Sequence, residues 1–337
     1  MYSMSYIRTF IQLLFARHSR ENAIPYFPEF KAVDFTTKET FEKFVHKFET
    51  YSDFNFNSFF SWDTEGKHEV TQLNGNLVLK FTDYVNGEPF YSLIGTKKVG
   101  RTMRTLIDFS EKQNVVPKLK LIPEITVNAI KNNSDLFFEE DHQNHDYIFS
   151  ITELSELKGR RFNSKRRASL KCKESNEVRI TDESNNLEAI GPIIELMKKW
   201  EGTKRLHGKE VDMEQEFKAI QRILENLTLQ ESLTLTFARK GEELVGFSVD
   251  ELLPNKFVLS HYFKTLPGTT GLSEYLNMYV AQNLKKLGYE FWNWEQDLGI
   301  ESLQKMKLGY RPQSHQKKYT VTKVLYNNQQ FTNNRKL

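Results

Sequence analysis

The dipeptide Asn74-Gly75 separates two short alternating segments in HEVTQLNGNLVLKF, and a second turn at Asn86-Gly87 leads into a third. Asn-Gly between alternating apolar runs is a strong hairpin signal, because both residues tolerate the left-handed backbone of a type I′ turn. Residues 68–94 therefore predict a three-stranded meander. An amphipathic helix precedes it, with Phe41, Phe44, Val45 and Phe48 at helical spacing. After it come a helix over 99–113 on Met103, Leu106 and Ile107, then a strand and a helix in LKLIPEITVNAI.

The same order returns in the second half without evident residue identity. Ile190 to Trp200 carries one apolar helical stripe, and Asp212 with Gln215 makes a capping-box-like start to a helix through Phe217, Ile220 and Leu224. A meander follows in 233–264, with turns at Lys240-Gly241 and Pro254-Asn255. Then come PGTTG, a helix on Leu272, Leu276, Val280, Leu284 and Leu287 that stops at Gly288, and the strand YEFWNWEQ. A helix over 300–308 and a last strand in KKYTVTKV close the series. Helices, meander, glycine turn into a helix, strand, helix and strand is the order of a GNAT-type acyltransferase domain. The expected class is α+β, with two tandem GNAT-like repeats of mixed, mostly antiparallel sheet flanked by helices. The expected division is a lead over 1–27, repeats over 28–150 and 151–325, and a disordered tail over 326–337.

Composition narrows the function classes. With 337 residues, 39% of them hydrophobic and 26 phenylalanines, the chain can bury two cores. Lys and Arg number 47 against 44 Asp and Glu, so net charge alone demands no nucleic-acid partner. The single Cys172 excludes an internal disulfide and fits a reducing cytoplasm. No run of about 18 apolar residues predicts a membrane span, and Tyr6 to Ala16 reads as a short amphipathic lead. The expected location is cytoplasmic, with peripheral contact to anionic lipid as a variant.

Local features carry what chemistry there is. From 158 to 173 there are eight basic residues and no acid, a segment able to hold phosphates of tRNA, of a nucleotide cofactor or of a lipid headgroup, or simply to be a solvated helix face. The glycines Gly268 and Gly271 precede a helix start, where unpaired N–H groups favour pyrophosphate, or where the loop is a plain connection. In Trp292-Asn293-Trp294-Glu295-Gln296-Asp297 a period of two puts Asn293 and Glu295 opposite the tryptophans. Carboxylates at a strand end suit general-base work, although Asp297 equally suits a helix cap. Asp141, His142, His145 and Asp146 have metal-compatible spacing, but their acidic loop lacks supporting pattern and no metal is expected. His207 and His261 read as structural or surface residues, and Cys172 among its cations lacks a histidine partner for catalysis.

The segments 147–173, 238–252 and 292–312 together resemble signature regions of a bacterial family related to the C-terminal catalytic domain of phosphatidylglycerol lysyltransferase. The resemblance implies a tandem GNAT fold, as in Fem-type aminoacyltransferases, and transfer of an acyl or aminoacyl group from acyl-CoA or aminoacyl-tRNA to an amine or hydroxyl acceptor. By it, Lys158, Arg160, Arg161, Lys165 and Arg166 match a phosphate-contacting basic segment. Glu295, Gln296 and Asp297 match an acidic strand end, and Lys307 and Tyr310 match positions in the helix that follows. The expected site thus has Glu295, Asp297 and Tyr310 as catalytic groups. Gly268, Gly271, Asn293, Gln296 and Lys307 join the basic residues in binding. Asn163-Ser164-Lys165-Arg166-Arg167 stands where the family commonly has His-Lys-Lys-Arg-Asn. Lys305 occupies the place of the tyrosine that many acetyltransferases use as general acid. A non-catalytic module that binds tRNA, nucleotide or anionic lipid is the rival reading.

Overall fold

Asn74 and Gly75 take φ of 55° and 81°, the paired positive values of a type I′ turn, and join β2 (Glu69–Leu73) to β3 (Asn76–Thr82). The computed structural model describes residues 24–83, 86–130, 135–184, 186, 188–206, 213–227 and 232–324. Residues 1–23 of the expected lead, the whole of the expected tail over 326–337, Asp212 and His207 lie outside them. β1 (Lys31–Ala32) and β4 (Pro89–Ile94) extend this hairpin on either side, both antiparallel. Leu77, Leu79 and Phe81 face α1 (Lys38–Val45) and α2 (Phe56–Ser61), while Val78 faces α3 (Val99–Lys112), so strand alternation gives the sheet a core on each side. Each such fully buried side chain contributes about 1.5–3 kcal/mol.

Past α3 the chain forms β5 (Lys118–Pro123), α4 (Glu124–Asn128) and β6 (Leu136–Glu140), then crosses to β7 (Asp146–Ser150). The crossing leads into a second seven-stranded sheet. α5 (Ile151–Glu156), α6 (Asn163–Glu174), β8 (Arg179–Asp182), α7 (Ile190–Leu206) and α8 (Glu214–Glu225) precede its meander of β9 (Leu233–Lys240), β10 (Glu243–Leu252) and β11 (Phe257–Thr265). α9 (Leu272–Lys286), β12 (Phe291–Asn293), α10 (Glu301–Gly309), β13 (Ser314–Gln316) and β14 (Lys318–Lys323) complete the described chain. α5, α6 and α9 cover one face of this sheet, and α7 and α8 cover the other.

The sheet orders are β1-β2-β3-β4-β5-β14-β6 and β13-β7-β12-β11-β10-β9-β8. A cut after residue 150 therefore separates two strands from their sheets. β7, before the cut, pairs with β12 and β13, and β14, after it, lies between β5 and β6. The halves exchange strands.

Each sheet also contains one parallel pair that parts early. β4 meets β5 at Tyr91–Leu119, and β11 meets β12 only from Phe257–Phe291 to Leu259–Asn293. The sequence predicts a strand over 289–296; pairing with β11 stops at Asn293, while backbone hydrogen bonds to Tyr147 on the other side continue through Trp294 and Glu295. On the other side of β11, Val249 opposes Tyr262 and Asp250 opposes Ser260, which leaves His261 as the extra residue of a β-bulge.

Candidate active site at the parting of two strands

Two residues beyond the last parallel pair, the halves differ in chemistry. The first half places Leu93 and Leu121 there, both buried, and its gap is spanned by hydrogen bonds from Ser92 Oγ to the Leu121 carbonyl and from the Gly95 N–H to Thr126 Oγ1. The second half places His261 and Glu295. Leu121 and Glu295 both have φ of 57°, so the two halves turn their strands outward in the same way but only the second puts ionisable groups at the fork.

Glu295 is partly exposed, and its carboxyl is pushed up to about 7 chiefly by burial, with the His261 and Lys307 charges pulling back and Asp146 and Asp53 adding to the rise. That value suits a base or acid working near neutrality. Its backbone N–H donates to Asn293 Oδ1 at 2.7 Å. Lys307 is buried and donates to the carbonyls of Trp294, Glu295 and Gln296 at 2.6, 3.1 and 2.6 Å. Burial draws its ammonium down to about 8, and three carbonyl dipoles keep it supplied with acceptors. Lys307, expected to bind substrate or phosphate, here holds the Glu295 turn through three carbonyls.

Behind the fork, His261 Nε2 lies 2.9 Å from Glu251 Oε2, and both side chains are almost fully buried. Burial opposes the charge on each, yet the pair prevails: His261 is held above its ordinary pKa and Glu251 below. Asn55 Nδ2 donates to the same carboxylate at 2.9 Å, and Ser58 Oγ lies 3.3 Å from His261 Nδ1. His261 is therefore a buried residue behind the fork, which fits the structural and not the surface half of the reading from its sequence context. The signal that could have found it is its place in β11, beside the glycine turn.

A second buried knot lies beside the first. Lys318, wholly buried, pairs with Asp146 at 2.6 Å and with Asp53, and reaches Ser52 Oγ at 3.1 Å. Burial raises Asp53, while Lys318 and the neighbouring Asp146 act in opposite senses on it. Asn293 donates to Asp146 at 3.1 Å and to the Thr50 carbonyl at 2.9 Å, and Gln296 Oε1 lies 2.9 Å from Ser52 Oγ. Asn293 and Gln296, expected to bind substrate, fasten the second-half strand end to the first half.

The other expected residues fall into place around these. Asp297 is buried, accepting from Tyr147 Oη at 2.5 Å and from the Gly299 N–H at 2.8 Å. It caps no helix and faces no open space. Tyr310 is buried between Trp294 and Lys165, its hydroxyl within 3.3 Å of Asn277 Nδ2, so it packs the core. Gly271 is indispensable for helix contact: a Cβ there would lie 2.0 Å from the Ala168 carbonyl oxygen. The first turn of α9, beside the pyrophosphate position expected at Gly268 and Gly271, carries a carboxylate, Glu274, paired with Lys165 at 3.2 Å. Gly268 has open space around it.

The basic segment folds as a short turn and α6. Arg166 is tied to the Leu157 carbonyl and to Asn163, Arg161 to Glu153, and Lys158 to Glu156 at 2.9 Å. Arg160, Arg167, Lys171 and Lys173 project outward. Cys172 points inward, and burial raises its thiol despite the cations in sequence around it.

Two sheets, each with a forked parallel pair and each covered by helices on both faces, define a tandem GNAT-like fold. Residues 46–322 match the family described as phosphatidylglycerol lysyltransferase, C-terminal, and the chain belongs to that family. Among solved structures, it is similar to a conserved protein of unknown function from Bacteroides thetaiotaomicron, with 22% identity and a TM-score of 0.77 over 88% of this chain and 99% of that one. L-PGS from Bacillus licheniformis matches with 12% identity and a TM-score of 0.59, over 87% and 92%. FemX matches with 10% identity and a TM-score of 0.55, over 88% and 97%. A search of curated proteins finds no sequence match.

Proposed function

We propose that the protein is an aminoacyl transferase whose reaction takes place at the fork between β11 and β12, with Glu295 as general base. The observation that carries this reading is the contrast between the forks: leucines in the first half, and a near-neutral carboxyl beside an imidazole in the second. The acceptor amine or hydroxyl attacks the donor's ester carbonyl, Glu295 takes the acceptor's proton, and the ester C–O bond breaks. The proton ends on the departing hydroxyl. The oxyanion falls to backbone N–H groups of β11 beyond Leu259, past its last pair with β12. Lys307, Asn293 and the His261–Glu251 pair position Glu295.

Family membership supports transfer of an aminoacyl group, and two features favour aminoacyl-tRNA over acyl-CoA as donor. A carboxylate, Glu274, in the first turn of α9 and the close packing of Gly271 on Ala168 disfavour a pyrophosphate at the start of α9. Arg160, Arg167, Lys171 and Lys173 offer an exposed cationic track on one segment, suited to a nucleic-acid backbone. A membrane-bound acceptor is compatible with peripheral docking, since among the described residues no helix is long and apolar enough to cross a membrane.

The test is single-turnover transfer from charged tRNA or acetyl-CoA to phosphatidylglycerol vesicles or a soluble amine, for wild type and Glu295→Gln. Transfer from tRNA alone, lowered at least about 100-fold by the substitution, is the expected result. Transfer from acetyl-CoA, or full rate in the variant, overturns the donor or the base assignment respectively. Binding of tRNA with no turnover against either acceptor supports the non-catalytic module instead.

A further inference from the structure

Three metal-ligating side chains converge where the chain crosses from the first sheet to the second. Glu140 ends β6, held in register opposite Tyr319 of β14. His142 lies on the short turn that follows, and His145 sits immediately before β7. Glu140 Oε1 is 3.4 Å from His142 Nδ1 and 3.7 Å from His145 Nε2, and all three atoms lie within 4.8 Å of one another. Zinc bonds to nitrogen and oxygen of about 2.0–2.2 Å in tetrahedral array require ligand atoms roughly 3.3–3.6 Å apart. The two edges through Glu140 are already close to that length. His142 is exposed and free to swing inward to close the third.

An independent observation points the same way. His145 is 6% exposed, yet its Nε2 has no hydrogen-bond partner, and it is aimed at Glu140. A buried imidazole nitrogen left unpaired is costly, and a metal ion at the focus of the three atoms removes that cost. The nearest cation is Lys317, whose ammonium lies 3.2 Å from Glu140 Oε1 and 3.3 Å from its Oε2. Its stem is partly exposed, so it can turn to solvent when a dication arrives.

We propose that Glu140, His142 and His145 form a binding site for a divalent ion of the zinc class, with water completing the coordination. Two histidines and one carboxylate select ions of borderline softness over calcium or magnesium, which favour all-oxygen sites. The ion joins the end of β6 to the start of β7 and so staples the crossing between the sheets. The metal-free expectation from sequence weighed Asp141 and Asp146 beside these two histidines. Asp146 instead serves Lys318, Asp141 accepts from Asn144 Nδ2, and Glu140 supplies the carboxylate.

The test uses the full chain stripped with chelator, titrated with Zn2+ by calorimetry and with Co2+ by visible absorption, beside His142→Ala and Glu140→Gln. Expected are one saturable site per chain, the intense d–d bands of four-coordinate cobalt, and a rise in Tm with zinc. His142→Ala, at an exposed position, keeps the metal-free Tm of wild type and weakens binding by more than about 100-fold, beyond what loss of a supporting contact costs. No saturable one-to-one site in wild type, or affinity unchanged in both variants, overturns the proposal. Neither result bears on the transfer reaction.

Discussion

Glu295 is a carboxyl whose environment, more than its type, sets what it can do. It accepts a proton only after losing its own, so kcat/KM should fall about tenfold per pH unit below about 7 and level off above. The same shift has a thermodynamic sign. Folding raises this pKa from 4.5, so between there and about 7 the folded state binds more protons than the unfolded chain, and the residue's contribution to stability declines as pH climbs. Glu295→Gln should flatten that decline, which thermal unfolding from pH 5 to 8 measures; parallel wild-type and variant profiles would contradict the shift. At this scale the sequence was legible only in part. Glu295 stood out because it follows a tryptophan-flanked strand. Glu251, His261 and Lys318 did not, since a charge inside a strand pattern normally faces water and only the tertiary fold turns these three inward.

At the scale of elements, α6 against α9 is the contact that shapes the basic segment. Gly271 has φ of +80° and no room for a side chain. Gly271→Ala should destabilise the protein by at least about 1–3 kcal/mol, the ordinary cost of overpacking, with strain from the positive φ in addition. Urea unfolding checks this, and an unchanged midpoint would mean that the helices simply slide apart. Reversing charge at Arg160, Arg167 and Lys171, which no buried group needs, should weaken tRNA binding and lower its salt dependence by about three counterions, as measured by filter binding across a salt series. Helix and hairpin positions were legible because turn dipeptides and apolar spacing are local signals: Asn74-Gly75, Gly288 and the 99–113 stripe all lie where predicted. The short β12 was not, because its pairing ends where β11 leaves it, close to the His261 bulge, and no residue of β12 itself records that.

For the molecule as a whole, the halves are joined by charge as well as by chain. Lys318→Met leaves Asp53 and Asp146 buried without their cation, and breaking such a knot should cost about 3–5 kcal/mol. Denaturant unfolding would show it, and a double variant with Asp146→Leu should recover part of the loss; if it does not, the knot is not the cause. The two-repeat order was readable from the chain, whereas the strand exchange was not, since KKYTVTKV reads as a strand without naming its sheet.

That exchange also sets a schedule. β14 lies between β5 and β6, so the first sheet cannot close until residues beyond 318 have left the ribosome. An N-terminal half that would ordinarily fold first must instead wait, with β5 and β6 presenting open edges to their surroundings. In the cell, the protein's first half is finished last.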